Sequence, residues 1–239
     1  MHKQKQKKQP LKNQTIMENL FFKINADVIV NFQFKTSNKK TGAMIQNYFI
    51  PTDWIDSDGD IKKLSDKAIC FDCVHNKVNQ NDCYVTKGNG LRGLIGKVKS
   101  LRRKGSASIP FLTAEIEATL LKKLENKPLR FGSYGEPVLL GEDLVKKISE
   151  KVDFWTGYTH EWHKNPWAKK YFMASVENDL IDKTAKNMGW RTFYAGDPTA
   201  SENVTCPASK EAGRKSTCEN CRLCMGTTSK AKSVKIKIH

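Results

Sequence analysis

The chain has 239 residues, of which 38% are hydrophobic and 28% charged, and this composition suits one globular domain or one domain with a small appendage. It contains no apolar run of about 18 residues, and no apolar stretch follows the basic N-terminus, so we expect neither a membrane span nor a secretory signal. Lys and Arg number 41 against 25 Asp and Glu, a formal net charge of +16 that attracts polyanions and predicts DNA or RNA as a partner in the cytoplasm.

Composition divides the chain into three predicted parts. Residues 1–15 are rich in Lys and offer almost nothing to bury, so they are predicted to be a disordered basic arm. Residues 16–200 are predicted to form an α/β barrel-like domain. Residues 201–239 are predicted to be a Cys-rich metal-binding segment that ends in a strand.

The middle of the chain alternates between two hydrophobic periods. Strands are predicted near 129–134, 154–159, 171–176 and 191–195, with helices near 113–126, 142–152 and 179–188. Such alternation is typical of βα units and predicts a parallel sheet in the form of a partial (β/α) barrel. Residues 233–239 alternate apolar and basic side chains, which predicts a half-buried antiparallel or edge strand.

All seven cysteines fall into two groups. Group two consists of Cys206, Cys218, Cys221 and Cys224. Its two-residue gaps allow neighbouring thiolates to face one point, and its polar flanks differ from the apolar surroundings of inert cysteines. We expect these four residues to converge on one metal centre, either a 4Fe-4S cluster or a zinc ion.

Group one consists of Cys70, Cys73, His75 and Cys83. These residues can form a Cys3His zinc site, or the three cysteines alone can hold a cluster with one open iron. A mixed site that takes cysteines from both groups is a third possibility. His75 can also be an ordinary surface histidine.

Several polar residues follow the predicted parallel strands, where ligands bind in α/β barrels. The candidates for acid–base catalysis are Glu136, His160 and Glu177, of which a Glu can instead bind a cationic amine of a cofactor. The candidates for substrate binding are Ser133, Tyr134, Tyr158 and Trp162. Each also has a structural interpretation, as a helix cap, a backbone hydrogen-bond partner or a core residue.

A string of motifs carries a resemblance to a known family. The motifs are RFGSYGEP (130–137), GYTHEW (157–162), MASVE (173–177), GWRTF (189–193) and CPAS (206–209), followed by the cysteine triplet. Over about residues 70–239 the chain resembles an uncharacterised Cys-rich family that is widespread in bacteriophage genomes. The resemblance implies a phage or prophage product in the bacterial cytoplasm and implies no activity.

The chain is also distantly similar to radical-SAM barrels, especially those related to DNA photoproduct lyases. Cys83-Tyr84 and Gly135-Glu136-Pro137 occur in the order in which those proteins place their cysteine cluster and their acidic loop. The similarity implies SAM as a cofactor. The spacing Cys70-x2-Cys73-x9-Cys83 differs from the three-residue and two-residue gaps usual in that family.

Two functional hypotheses follow from these observations. The first is an iron–sulfur or radical-SAM-like enzyme that modifies nucleic acid or nucleotides. The second is a non-catalytic, zinc-stabilised DNA- or RNA-binding protein. A weaker alternative is a transglycosylase-like, base-modifying barrel with structural zinc.

Overall fold

The structure is a computed structural model, and it describes residues 18–36, 38–75, 83, 89–103, 109–196, 202–214 and 216–237. The predicted basic arm at 1–15 lies outside the described residues, as do Tyr84 and the last two residues of the predicted terminal strand.

In the described parts of the chain, the strands are β1 (Asn19–Lys23), β2 (Val28–Gln33), β3 (Ile45–Pro51), β4 (Leu129–Tyr134), β5 (Trp155–Thr156), β6 (Tyr158–Thr159), β7 (Met173–Val176), β8 (Thr192–Ala195), β9 (Val204–Thr205) and β10 (Val234–Ile236). The α-helices are α1 (Asp53–Asp56), α2 (Lys67–Cys70), α3 (Asn89–Arg103), α4 (Ala114–Leu124), α5 (Glu142–Ser149), α6 (Asp179–Asn187) and α7 (Cys218–Cys221). Short 3₁₀ helices cover Pro137–Leu140, Glu161–His163 and Pro166–Lys170.

The strands form two five-stranded sheets, in the orders β1-β2-β3-β4-β5 and β6-β7-β8-β10-β9. β2 is antiparallel to both of its neighbours, and all other pairs are parallel. Only Gly157 separates β5 from β6, so one extended run pairs with β4 on one side and then with β7 on the other. The fold is therefore mixed α/β with mainly parallel sheets. The described strands do not close into a barrel.

The predicted helices after residue 112 are present as α4, α5 and α6. Their local sequences explain where two of them begin, because the side chains of Thr113 and Asn178 accept hydrogen bonds from the backbone amides of Ile116 and Ile181. The predicted strands correspond to β4, the β5–β6 run, β7 and β8, and their described pairs are parallel as predicted. They are divided between two sheets, however, so the described strands do not form the single barrel-like sheet that the sequence predicts. Within the described residues, no helix is both long and apolar enough to cross a membrane.

The prediction for the terminal strand is wrong in its placement. β10 is parallel to both β8 and β9 and lies between them, so it is neither antiparallel nor an edge strand. Val234 at its start is fully buried. The alternating sequence indicates that one face of the strand is buried, but it does not indicate which strands pair with it. The choice of partners depends on the long connection through the Cys-rich segment.

Opposite faces of the sheet β6-β7-β8-β10-β9 belong to two hydrophobic clusters. Neighbouring residues point to opposite faces, so Met173 and Phe193 pack into one cluster while Ala174 and Tyr194 pack into the other. The larger cluster includes the buried side chains of α4, α5 and α6. The smaller cluster consists of Met44, Phe154, Met173, Phe193, Cys206, Ala208, Cys218 and Val234. The Cys-rich segment therefore covers the sheet face opposite to the helices.

Candidate metal centres

The four cysteines of group two surround one small cavity. Cys206, Cys218, Cys221 and Cys224 line a cavity of about 10 Å3, which is at the lower limit for holding one water molecule. Burial raises the pKa of the Cys224 thiol, and the neighbouring thiols of group two raise it further. Burial likewise raises the pKa of Cys206 and of Cys221. A cation among these thiols would relieve the repulsion between their ionised forms.

Local sequence explains how these thiols come together. Thr217 caps the short helix α7, because its side chain accepts a hydrogen bond from the Asn220 amide at 3.3 Å. Arg222 then adopts a left-handed conformation with φ of 57°, which reverses the chain before Cys224. The turn of helix and the reversal place all three cysteines of the triplet at one cavity.

The group two segment is attached to the sheet by backbone hydrogen bonds. The Cys224 carbonyl accepts from the Gly157 amide at 2.9 Å, where the chain passes from one sheet to the other. The Cys218 amide donates to the Lys40 carbonyl at 3.0 Å, and the Glu219 carboxylate accepts from the Ala43 amide at 2.9 Å. A metal at this cavity would therefore be coupled to both sheets.

Arg191 is a buried residue of this region that sequence analysis did not identify. Its guanidinium donates to the carbonyls of Leu223 at 2.9 Å and Lys232 at 2.7 Å. It also donates to the carbonyls of Met225 and Gly226. Burial lowers the pKa of Arg191, and the charge of Cys224 opposes that shift. In the sequence, a single Arg before a strand looks the same whether its guanidinium is buried against backbone carbonyls or exposed on the surface.

Group one lies near the C-terminal end of β4. The Glu136 amide donates to the Ile69 carbonyl at 2.8 Å, which joins the end of this strand to α2 and thus to Cys70. Gly135 makes the approach possible, because its φ is +84° and a Cβ there would lie 2.8 Å from the Cβ of Phe49. The burial of Cys70 raises the pKa of its thiol, and the charges of Asp66, Glu136, Cys73 and Cys83 raise it further.

Glu136 and His160 form a tightly connected pair. Glu136 Oε1 lies 3.0 Å from His160 Nδ1, and both carboxylate oxygens accept from the His160 amide at 3.2 Å. The Thr159 hydroxyl donates to Glu136 Oε2 at 2.5 Å. Burial would lower the pKa of His160, but hydrogen bonds to Cys73 and Glu136 hold it well above its ordinary value. The carboxylate is thus committed to orienting the imidazole rather than open to a substrate.

His160 is also the residue that links this pair to group one. It contacts Cys73, and its ring lies edge-on to that of His75 with 5.7 Å between the ring centroids. About a fifth of the His160 side chain is exposed, but its Nε2 atom is buried and has no well-aligned hydrogen bond within the described residues. The cysteines that affect the pKa of Cys70 belong to group one, and those that affect the pKa of Cys224 belong to group two, which favours two separate sites over a mixed one.

In the residues that the structure describes, no three His, Cys, Asp or Glu side chains are already arranged to hold a metal ion. Metal binding at either group therefore requires the side chains to turn toward a common point. Such a change is small for thiols that already line one cavity, because rotation about a single side-chain bond redirects each sulfur.

Three other candidate site residues are buried. The Tyr134 hydroxyl donates to Asp66 at 3.0 Å, and burial raises the pKa of Tyr134 well above its usual range. Ser133 Oγ is buried with no hydrogen-bond partner in the described structure. Trp162 packs edge-on against Trp190 at 6.2 Å, as its core interpretation predicts.

Tyr158 and Glu177 do not join the Glu136–His160 pair. The Tyr158 hydroxyl accepts from Arg130 at 2.6 Å, and its ring stacks on Phe193 at 4.4 Å, in the cluster that contains group two. Glu177 is half-buried after β7, and no described hydrogen bond connects it to Glu136 or His160.

No protein-family model, curated protein or solved structure significantly matches this chain. The resemblances to the bacteriophage family and to radical-SAM barrels therefore stay predictions, and the functional argument depends on the geometry of the two cysteine groups.

Proposed function

We propose that this protein holds a metal ion or an iron–sulfur cluster through Cys70, Cys73 and Cys83 and acts with it on nucleic acid or nucleotides. One observation carries the proposal: these thiols lie beside the Glu136–His160 pair, although 63 or more residues of sequence separate Cys73 from it. The pair follows the C-terminal ends of β4 and β6, the edge at which parallel α/β folds bind their ligands.

Group two serves a different role in this proposal. Its cavity is lined by the Cys-rich segment and by the sheet, and four thiols supply a complete tetrahedral ligand set. Closed sites of this type stabilise structure. We therefore assign group two a structural metal, and we assign the functional centre to group one because its thiols lie beside the Glu136–His160 pair.

Helix α3 supplies the argument for a nucleic-acid partner. Its sequence, NGLRGLIGKVKSLRR, has five basic residues and no acidic one, and its apolar side chains Leu91, Leu94, Ile95 and Val98 are buried. Arg92, Lys97 and Arg103 are exposed. The helix begins six residues after Cys83, so α3 is close in sequence to the proposed centre. Its exposed basic side chains could bind the phosphate backbone of a nucleic acid.

Metal analysis of the anaerobically purified full chain tests the first part of the proposal. We expect two centres in each chain, one lost in Cys73→Ser and the other lost in Cys221→Ser. Each variant is the control for the other. Brown protein with thiolate-to-iron absorption supports the iron–sulfur enzyme. Colourless protein with bound zinc supports the second candidate, a zinc-stabilised nucleic-acid-binding protein. A Cys73→Ser variant with unchanged metal content would contradict the proposal.

Salt dependence of binding tests the second part. We expect the observed DNA or RNA affinity to fall steeply with salt, because each phosphate contact releases counterions. The double variant Lys97→Gln/Arg103→Gln should reduce the slope of log affinity against log salt concentration by about 2. The charge-matched control is the double variant Lys122→Gln/Lys146→Gln on α4 and α5, which should change this slope less. Deleting residues 1–14 should also flatten the slope, and absence of binding even at low salt would refute this part.

A further inference from the structure

We infer that His160, through Nε2, supplies the fourth ligand of the centre formed by Cys70, Cys73 and Cys83, and that Glu136 is the positioning residue that fixes its ring. The inference rests on the proposed function and deepens it, because it defines the ligand set. It replaces His75, the histidine that sequence spacing alone suggests.

The two ring nitrogens of His160 are in different environments. Nδ1 lies 3.0 Å from the Glu136 carboxylate, so in the neutral ring Nδ1 carries the proton and donates to that oxygen. Nε2 then presents a lone pair. This atom is buried and makes no hydrogen bond of good geometry among the described residues, although Cys73 interacts with the ring and helps to hold its proton. A metal at Nε2 would displace that proton.

The Glu136 carboxylate is held as firmly as the ring that it orients. It accepts from Thr159, from the His160 amide and from the imidazole, and it is only 5% exposed. Metal-bound histidines commonly donate their second nitrogen to a carboxylate in this manner, which fixes the tautomer and the ring orientation. A general base that served a substrate directly would instead need an accessible carboxylate oxygen.

The three thiols interact with one another and, through Cys73, with the ring. Cys73 contacts His160, and Cys73 and Cys83 both act on the thiol of Cys70. Three thiolates and one imidazole are a common tetrahedral set for zinc. With His160 in place the centre has four protein ligands, so SAM or a substrate could reach the metal only by displacing the imidazole. The ligand set therefore also separates the radical-SAM hypothesis from the zinc hypothesis.

Titration of the metal-free full chain with Co2+ tests this assignment, because thiolate charge-transfer and visible ligand-field bands report both affinity and ligand type. We expect His160→Gln to weaken binding at group one by at least about 100-fold, and Glu136→Gln to weaken it by about 10–100-fold. The matched control His75→Gln should leave the affinity nearly unchanged. The four-thiolate bands of group two serve as an internal control for folding.

His160→Cys provides the rescue variant. It should retain Co2+ at group one and shift the bands toward those of a four-thiolate site, a result that a merely structural histidine would not produce. Loss of binding in His75→Gln, or full binding in His160→Gln, would overturn the ligand assignment and leave the proposed centre in place. Full binding in Cys73→Ser would reject the centre itself, and with it the proposed function.

Discussion

Replacing Arg191 with lysine is expected to lower the free energy of unfolding by about 3 kcal/mol and to release the segment around group two. The guanidinium donates to four carbonyls between Leu223 and Lys232, and an ammonium group cannot reach the same set from one position. Hydrogen bonds to charged groups contribute about 1.5–3 kcal/mol each, and carbonyls left buried without a donor add to the loss. Thermal unfolding should show a fall of roughly 6–12 °C for a chain of this size.

Arg222→Lys is the matched control for that experiment. Arg222 lies in the same segment, but its side chain is half exposed and pairs with Asp153 at 3.3 Å. Exposed ion pairs contribute at most about 1 kcal/mol, so the control should be nearly silent. Equal melting temperatures for the two variants would show that Arg191 does not clamp the segment. Hydrogen exchange at 218–226 should separate the variants even where global melting does not.

The Cys221→Ser variant is expected to lose one equivalent of metal and to loosen the Cys-rich segment more than the rest of the fold. A structural metal supplies folding free energy to the residues that bind it, about 10–16 kcal/mol in isolated zinc-finger peptides. Here the segment is also held by the side chain of Arg191 and by backbone hydrogen bonds to Lys40 and Gly157. Loss of the metal should therefore make the segment more mobile without unfolding the sheets.

Limited proteolysis and hydrogen exchange of 202–237, with metal content measured on the same samples, check this expectation. Cys73→Ser is the control, because it should deplete group one while leaving protection in the Cys-rich segment intact. A Cys221→Ser protein with full metal content, or with loosening spread evenly over the chain, would contradict the assignment of group two.

The parallel βα portion of the fold could be predicted because its signals are local. α4 and α6 begin at side chains that cap them, and their apolar residues repeat at helical spacing. The rule that ligands bind at the ends of parallel strands selects both Glu136 and His160, and the structure places Glu136 Oε1 3.0 Å from His160 Nδ1.

The remainder depends on contacts between residues far apart in sequence. Tyr158 belongs to the predicted strand that His160 follows, but it is next to Thr159, and adjacent strand residues point to opposite faces. The substrate-binding candidate and the Glu136–His160 pair therefore lie on different faces. The position of β10 depends on which exposed edge a distant segment reaches, and a strand pattern does not encode that choice. Arg191 was missed because burial of a charge follows from packing, not from its flanking residues.

The interior position of β10 has a consequence for how the protein assembles during synthesis. β8 emerges from the ribosome about forty residues before β10, so the backbone amides and carbonyls along this edge of β8 stay unpaired until β10 has been synthesised. β9 emerges before β10 and could pair with that edge instead. β10 can be inserted between β8 and β9 only after the Cys-rich segment has been synthesised, so metal binding to its cysteines would be a late step of folding. Once β10 is in place, the edge of β8 is no longer available for incorrect pairing.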